Sequence, residues 1–176
     1  ADLGRVSYML PDGRQQFSYF ITICHIGMGG KVVERVNRHT KRYGGFLTYL
    51  WAVVKTIATY QNPLVELEID GEAVDQVCRD IIIAKGQYDG GGMHVAPNAE
   101  LNNGLFDVYV VGNTTRLFCL THVGVLYKGR LLEFPEKVRF FRAARVTARS
   151  RDPVLISLDG EQPGQLAAQD NEPDPR

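Results

Sequence analysis

The segment Val154-Leu-Ile-Ser-Leu158 runs straight into Asp159-Gly160-Glu161, so two carboxylates flank a glycine at the end of an apolar strand. A strand end holds a side chain firmly and still leaves it at the rim of a sheet. That is a suitable mount for a base meeting a substrate hydroxyl, with the second carboxylate orienting it or a cation. The same tripeptide recurs at Asp70-Gly71-Glu72, after Leu67-Glu68-Ile69. An Asp-Gly pair between strands is also an ordinary hairpin turn, so the tripeptide alone does not say which copy does chemistry. A second stretch, Gly86 to Val108, holds the triplet Gly90-Gly91-Gly92 and then Pro97-Asn-Ala-Glu-Leu-Asn-Asn-Gly104. Consecutive glycines mark left-handed backbone or a close approach that side chains would forbid. The second turn is rich in oxygens that a cation can use. Two irregular turns this close together read as the edge of a built site.

Other candidates are weaker. Gly27-Met28-Gly29-Gly30 opens a helix, and free N–H groups at a helix start attract phosphate. Its spacing matches neither GxxxxGK[ST] nor GxGxxG, so it reads as a tight strand-to-helix turn. Cys24, Cys78 and Cys119 show no CxxC spacing and fit a reducing cytoplasm better than a disulfide framework. His25, His39, His94 and His122 lack the spacing of a zinc site. Lysine plus arginine equals aspartate plus glutamate at 20 each, which gives no basic excess to draw the chain onto nucleic acid. The run Lys137, Arg139, Arg142, Arg145, Arg149 and Arg151 reads as a solvated strand face. The opening residues carry no signal-peptide pattern. The apolar run Phe46 to Val54 is too short to span a membrane.

The elements that must position these groups follow from periodicity. Arg5–Leu10 and Gln16–His25 form a hairpin about Pro11-Asp12-Gly13, whose second arm runs unbroken from Phe17 to Cys24. A helical pattern starts at Lys31, with Val32, Val33 and Val36 on one face. A second runs from Phe46 to Tyr60, with Leu47, Leu50, Trp51, Val54 and Ile57 at helical spacing. Strands are expected at Leu64–Ile69, Val77–Lys85, Leu105–Val111, Val138–Phe141, Arg145–Ala148 and Val154–Leu158, with a third helix at Thr114–Tyr127. Short strands joined by turns, not regularly interleaved with helices, predict an α+β domain: mainly an antiparallel β-sandwich with about three helices. Residues 1–166 make one domain. The tail from Gln165, ending in two prolines and several acidic residues, reads as disordered.

Taken in order, G-x-G-G at a helix start, Tyr43-Gly-Gly-Phe-Leu-Thr-Tyr49, Gly86-Gln-Tyr-Asp-Gly-Gly-Gly92, Pro97-x-Ala99, Asn103-Gly-Leu-Phe-Asp107 and Leu158-Asp-Gly-Glu161 form a specific set. The set resembles the C-terminal domain of the diacylglycerol kinase and sphingosine kinase-like family of bacterial lipid kinases, over residues 5 to 166. The resemblance implies the NAD kinase/diacylglycerol kinase-like fold and ATP-dependent phosphorylation of a lipid hydroxyl, as in phospholipid biosynthesis. It implies Asp159 as general base with Glu161 beside it, and leaves Asp70 as a turn. It also implies a structural Mg²⁺ held by the side chain at Asn103 and main-chain carbonyls near Glu100 and Leu105. There Asn offers one neutral oxygen in place of a carboxylate, which weakens a hard-cation site. ATP with its Mg²⁺ would sit chiefly on an upstream nucleotide-binding domain. Its G-G-D-G-T motif is absent from this chain, so the chain alone is expected to be inactive. Implied partners are the lipid, ATP, that upstream domain and a peripheral membrane contact, with room for a homodimer. The apolar helix around Leu50, Trp51 and Val54 either lines an acyl pocket or is an ordinary core helix. The rival expectation is a non-catalytic lipid-binding module that kept the fold. An NAD-kinase-like enzyme fits less well, since that family's motifs are missing.

Overall fold

The computed structural model describes residues 2–38, 45–74 and 76–166. Among them are eleven strands and four α-helices: β1 Gly4–Met9, β2 Gln15–Phe20, β3 Ile23–Gly27, α1 Met28–Arg38, α2 Gly45–Thr59, β4 Leu64–Ile69, β5 Glu72–Ala73, β6 Gln76–Ala84, β7 Phe106–Gly112, α3 Arg116–Thr121, α4 Val125–Lys128, β8 Val138–Ala143, β9 Val146–Arg149, β10 Leu155–Leu158 and β11 Glu161–Gln165. Every strand pairing is antiparallel, and the large sheet runs β2-β1-β11-β10-β3-β6-β7-β8. A smaller sheet branches from the start of β6, where Leu64 of β4 pairs with Val77, and β4 carries β5 and β9.

Register explains the cores on the two faces of the large sheet. Opposite His25 of β3 stands Ile82 of β6, and opposite Cys24 stands Ile83. Because side chains alternate across a strand, Cys24, Ile26, Ile81 and Ile83 face the small sheet, where they pack with Val65, Leu67 and Ile69. Ile23, Ile82, Ala84 and Tyr109 face the other way, into a core shared with Met93, Val95 and the α4 region. Both faces of β6 are covered, and so its sequence is a continuous apolar run rather than an alternating one. The β-sandwich with helices over one face agrees with the expected fold class.

Four local departures have physical causes. The expected arm Phe17–Cys24 is two strands, broken at Ile21–Thr22, where backbone N–H groups turn to the Asp159 carboxylate. Helix α1 begins at Met28 instead of Lys31, directly from Gly27 at φ 120°. The third helix divides into α3 and α4 around His122 to Gly124. The C-terminal residues Glu161–Gln165 form β11 despite Pro163, with Leu166 buried and its N–H bonded to Val154 O. The remaining tail, 167–176, lies outside the described residues, as does Gly44 of the expected helix break.

Candidate active site

Strand β3 places His25 on the helix-covered face, 6% exposed, between two carboxylates. Its Nδ1 lies 2.8 Å from Asp80 Oδ2, and its Nε2 lies 3.0 Å from Asp89 Oδ2. Burial by itself disfavours the imidazolium, but Asp89 and Asp80 outweigh it and hold the His25 pKa well above the ordinary histidine range. Burial likewise pushes the Asp89 carboxyl up. The His25 charge and hydrogen bond, with a bond from the Gly90 backbone, bring it below the usual aspartate range. The cluster is therefore a charged histidine donating from both ring nitrogens.

The glycines around it make room. A Cβ on Gly29 would lie 2.5 Å from the His25 ring, so only glycine fits there, and Gly29 N donates to Asp80 Oδ1 at 3.1 Å. The start of α1 is thus satisfied by a carboxylate of the protein itself, which agrees with a tight strand-to-helix turn. In the Gly90–Gly92 triplet, Gly91 is left-handed and a Cβ there would lie 2.9 Å from the Tyr49 ring of α2. The triplet lets Tyr49 press on the turn that aims Asp89 at His25.

Above the cluster the helices leave an apolar cavity of about 100 Å³, with His25, Asp80, Asp89 and Arg79 in its lining. Arg79 is buried; its Nε donates to Thr114 Oγ1 and an Nη to Thr114 O, both at 2.9 Å. From α2 the cavity receives Tyr49, Val53 and Ile57. The expected pocket residues Leu50, Trp51 and Val54 do not line it, which corrects that assignment. Trp51 and Val54 occupy the opposite stripe of the helix, 46% and 41% exposed. The i, i+4 spacing holds for both stripes, and the choice between them depends on which one the sheet covers.

Asp159 sits in the two-residue turn between β10 and β11, at φ 48°. Its Oδ1 accepts from Thr22 N at 2.9 Å, Thr22 Oγ1 at 2.6 Å and Ile23 N at 3.0 Å; its Oδ2 accepts one bond, from Ile21 N at 2.7 Å. Partial burial raises the carboxyl pKa. The Thr22 hydroxyl and the three backbone N–H groups outweigh this and bring it below the ordinary aspartate range. Glu161 is exposed at the first position of β11. The Gly86–Gly92 segment connects this hairpin to the buried cluster. Gly86 N donates to Thr22 O at 2.9 Å, at the same bend that Asp159 holds, and three residues later Asp89 reaches His25.

The remaining sequence candidates meet elsewhere. Asn103 Oδ1 and Leu105 O converge, at 3.2 and 2.9 Å, on the ammonium of Lys85. Glu100 is exposed. His25, Asp80, Asp89 and Lys85 were not singled out from sequence. The available signal was charge inside an apolar strand: Arg79-Asp80 and Lys85 bracket Ile81-Ile-Ile-Ala84, which has no business holding ions unless they are paired.

The architecture is a branched antiparallel sandwich with helices enclosing an apolar cavity over a charged cluster. A family model, the YegS C-terminal NAD kinase beta sandwich-like domain, matches residues 22–175, and the chain belongs to that family. It is 23% identical over 154 residues to a diacylglycerol kinase of Bacillus subtilis (strain 168), covering 88% of this chain and 50% of that protein. It is 25% identical over 157 residues to a diacylglycerol kinase of Staphylococcus carnosus (strain TM300), covering 89% and 51%. A diacylglycerol kinase of Mycobacterium tuberculosis (strain ATCC 25618 / H37Rv) matches at 25% over 138 residues, covering 77% and 42%. The chain thus spans about half the length of the curated relatives it matches. Two solved structures from Bacillus anthracis str. Sterne share the fold. One, described as a candidate diacylglycerol kinase, has a TM-score of 0.62 at 18% identity and covers 93% of this chain and 51% of its own. The other, a diacylglycerol kinase, has a TM-score of 0.51 at 14% identity and covers 93% and 50%. No helix among the described residues is long and apolar enough to cross a membrane.

Proposed function

We propose that this chain is the substrate-side half of an ATP-dependent lipid kinase that phosphorylates a lipid hydroxyl, diacylglycerol or a related lipid. One observation carries the reading: the Gly86–Gly92 segment bonds at one end to the bend held by Asp159 and at the other to the charged end of the apolar cavity. Along the chain the two ends, at Thr22 and His25, are three residues and about 10 Å apart. A lipid with its chain in the cavity would then present its hydroxyl near the Asp159 hairpin.

Asp159 Oδ1 is filled by three donors, whereas Oδ2 has taken only one. Oδ2 is therefore the atom that would accept the substrate hydroxyl proton or hold that hydroxyl in line. The low pKa suits orientation more than strong basicity. Phosphoryl transfer, with its loose transition state, asks the protein mainly for positioning and charge neutralisation. Glu161 would stand beside the nucleophile. ATP supplies the phosphoryl group and, with its Mg²⁺, would bind chiefly outside this chain. The exposed stripe of Leu47, Trp51 and Val54 on α2, with Leu117 on α3, would rest on the membrane from which the lipid is drawn. His25, Asp80 and Asp89 act as positioning residues that fix the glycine segment.

A second reading, a lipid-binding module without catalysis, is favoured by the four hydrogen bonds that make Asp159 a structural clamp. The experiment that separates them uses protein expressed from its complete reading frame and vesicles containing diacylglycerol. Val53→Trp should fill the cavity and raise KM for long-chain diacylglycerol about tenfold or more, with little effect on a short-chain soluble analogue. Lipid binding without any phosphate transfer by the unaltered protein would favour the module.

A further inference from the structure

Lys85 directly follows β6 and is only 1% exposed. A buried ammonium must be met by oxygens, and its three N–H bonds find three of them: Asp2 Oδ2 at 3.1 Å, Asn103 Oδ1 at 3.2 Å and Leu105 O at 2.9 Å. Asn103 Oδ1 and Leu105 O are the side-chain and main-chain oxygens that the family resemblance assigns to a structural Mg²⁺. Here they already point at a cation that is covalently part of the chain. The same loop is closed by Gly104 N donating to Asp2 Oδ2 at 2.7 Å, by Leu105 N donating to Asn103 Oδ1 at 3.0 Å and by Asp2 N donating to Leu101 O at 2.7 Å.

These residues do not fit a divalent ion. Magnesium needs oxygens at about 2.0–2.1 Å in an octahedral set, and it is held by carboxylates rather than by a neutral amide. An ion placed on the Asn103 and Leu105 oxygens would also lie a few ångströms from the Lys85 charge, in a part of the protein that screens it poorly. The charges at these positions agree with one another. The carboxylate expected at 103 is a neutral amide, while the positive charge is supplied by position 85 and balanced by Asp2.

We infer that the Lys85 ammonium is the built-in cation of the Pro97–Leu105 loop, which closes on Lys85, Asn103 and Asp2 without a divalent metal. The inference concerns the folded domain alone and stands apart from the proposed lipid phosphorylation.

Thermal melting of the full protein tests it, with isothermal titration of Mg²⁺ as a second readout. The unaltered protein should melt at the same temperature in excess EDTA and in excess Mg²⁺. Lys85→Met leaves the loop oxygens without their donor and should lower Tm by about 5 °C, as expected for stranding buried acceptors in a domain of this size. Lys85→Met combined with Asn103→Asp removes the ammonium and restores a carboxylate, and Mg²⁺ should then bind and recover part of the lost Tm. Should both Lys85 variants fail to fold, Asn103→Asp alone decides: with the ammonium in place it should be insensitive to Mg²⁺. A Mg²⁺-dependent rise in Tm of the unaltered protein that Asn103→Ala abolishes would overturn the inference, as would a Mg²⁺ response in Asn103→Asp.

Discussion

The two Asp-Gly-Glu hairpins are the same sequence in the same backbone, and yet they stand in different chemical surroundings. Asp70-Gly71 joins β4 to β5 with φ values of 48° and 90°; Asp159-Gly160 joins β10 to β11 with 48° and 86°. Two consecutive positive φ values define the type I′ turn that matches the twist of paired strands, and Asp-Gly is a pair that adopts it cheaply. Each aspartate then bonds the backbone of a neighbouring turn. Asp70 takes two N–H groups, from Ala144 and Arg145, at the β8–β9 corner of the sandwich. Asp159 takes three N–H groups and a hydroxyl at the Ile21–Ile23 bend, next to the glycine segment that reaches the cavity. The tripeptide dictates a turn and an inward-bonding carboxylate. What that carboxylate is set against decides whether it can meet a substrate.

The largest expected difference is in turnover. If the proposed lipid phosphorylation holds, Asp159→Asn in protein from the complete reading frame should lower kcat with diacylglycerol by about 100-fold or more, as for loss of a group that orients the hydroxyl or accepts its proton. Asp70→Asn should leave kcat within about twofold. Equal losses in both variants, measured as phosphate transferred in vesicles, would mean that the hairpins differ only in stability and would remove Asp159 from the chemistry.

Next in size is stability, which the comparison ranks by hydrogen bonds. Asp159→Ala strands four donors at the β2–β3 bend and should cost about 1–2 kcal/mol, with solvent screening at this exposed site keeping it from costing more. Asp70→Ala strands two donors and should cost roughly half as much, read from urea unfolding midpoints. The glycines provide the control. A Cβ on Gly71 or Gly160 would meet nothing within 4 Å, so Gly→Ala at either should cost the same backbone strain of about 1 kcal/mol. Unequal costs there would show that the turns are not equivalent after all.

How much of this was legible in the sequence follows from the range of the interactions. The strands were readable because alternation is local, and the turns because Asp-Gly and Pro-Asp-Gly impose backbone conformation within a few residues. The glycine triplet announced a constrained edge, but not its purpose, since Tyr49 arrives from a helix some forty residues earlier. In the sequence His25 is one of four scattered histidines, set among Ile23, Cys24 and Ile26. Its partners lie 55 and 64 residues away, and only the β3–β6 register brings Asp80 onto the same face. Asn103 was readable as an oxygen donor. The identity of its cation was not, because Lys85 follows a separate strand and Asp2 precedes β1. The break at Ile21–Thr22 was invisible for the same reason: nothing in Phe17–Cys24 disfavours a continuous strand, and the force that bends it comes from residue 159.

The smallest effect is a pH dependence, and it separates the Asp159 clamp from the His25 cluster behind it. Asp159 has a folded pKa held below the ordinary aspartate value of 3.8. A depressed carboxyl contributes stability that is fully present above the unfolded pKa and is lost as pH falls through the folded one. The stability gap between the unaltered protein and Asp159→Asn should therefore be constant near neutrality and close only below about pH 4, with a slope of at most about 1.4 kcal/mol per pH unit. His25 runs the other way. Its folded pKa is raised well above 6.5 by Asp89 and Asp80 against the cost of burial, so its contribution is complete below the unfolded value and is lost as pH rises through the folded one. The gap to His25→Gln should then narrow on the alkaline side, and again in strong acid, where Asp89, whose carboxyl His25 holds low, takes up its proton. Urea unfolding across a pH series measures both gaps. If the Asp159 gap stayed open through acid pH, its four hydrogen bonds would be indifferent to the charge. The low-pKa, half-satisfied Oδ2 on which the proposed substrate contact depends would lose its physical basis.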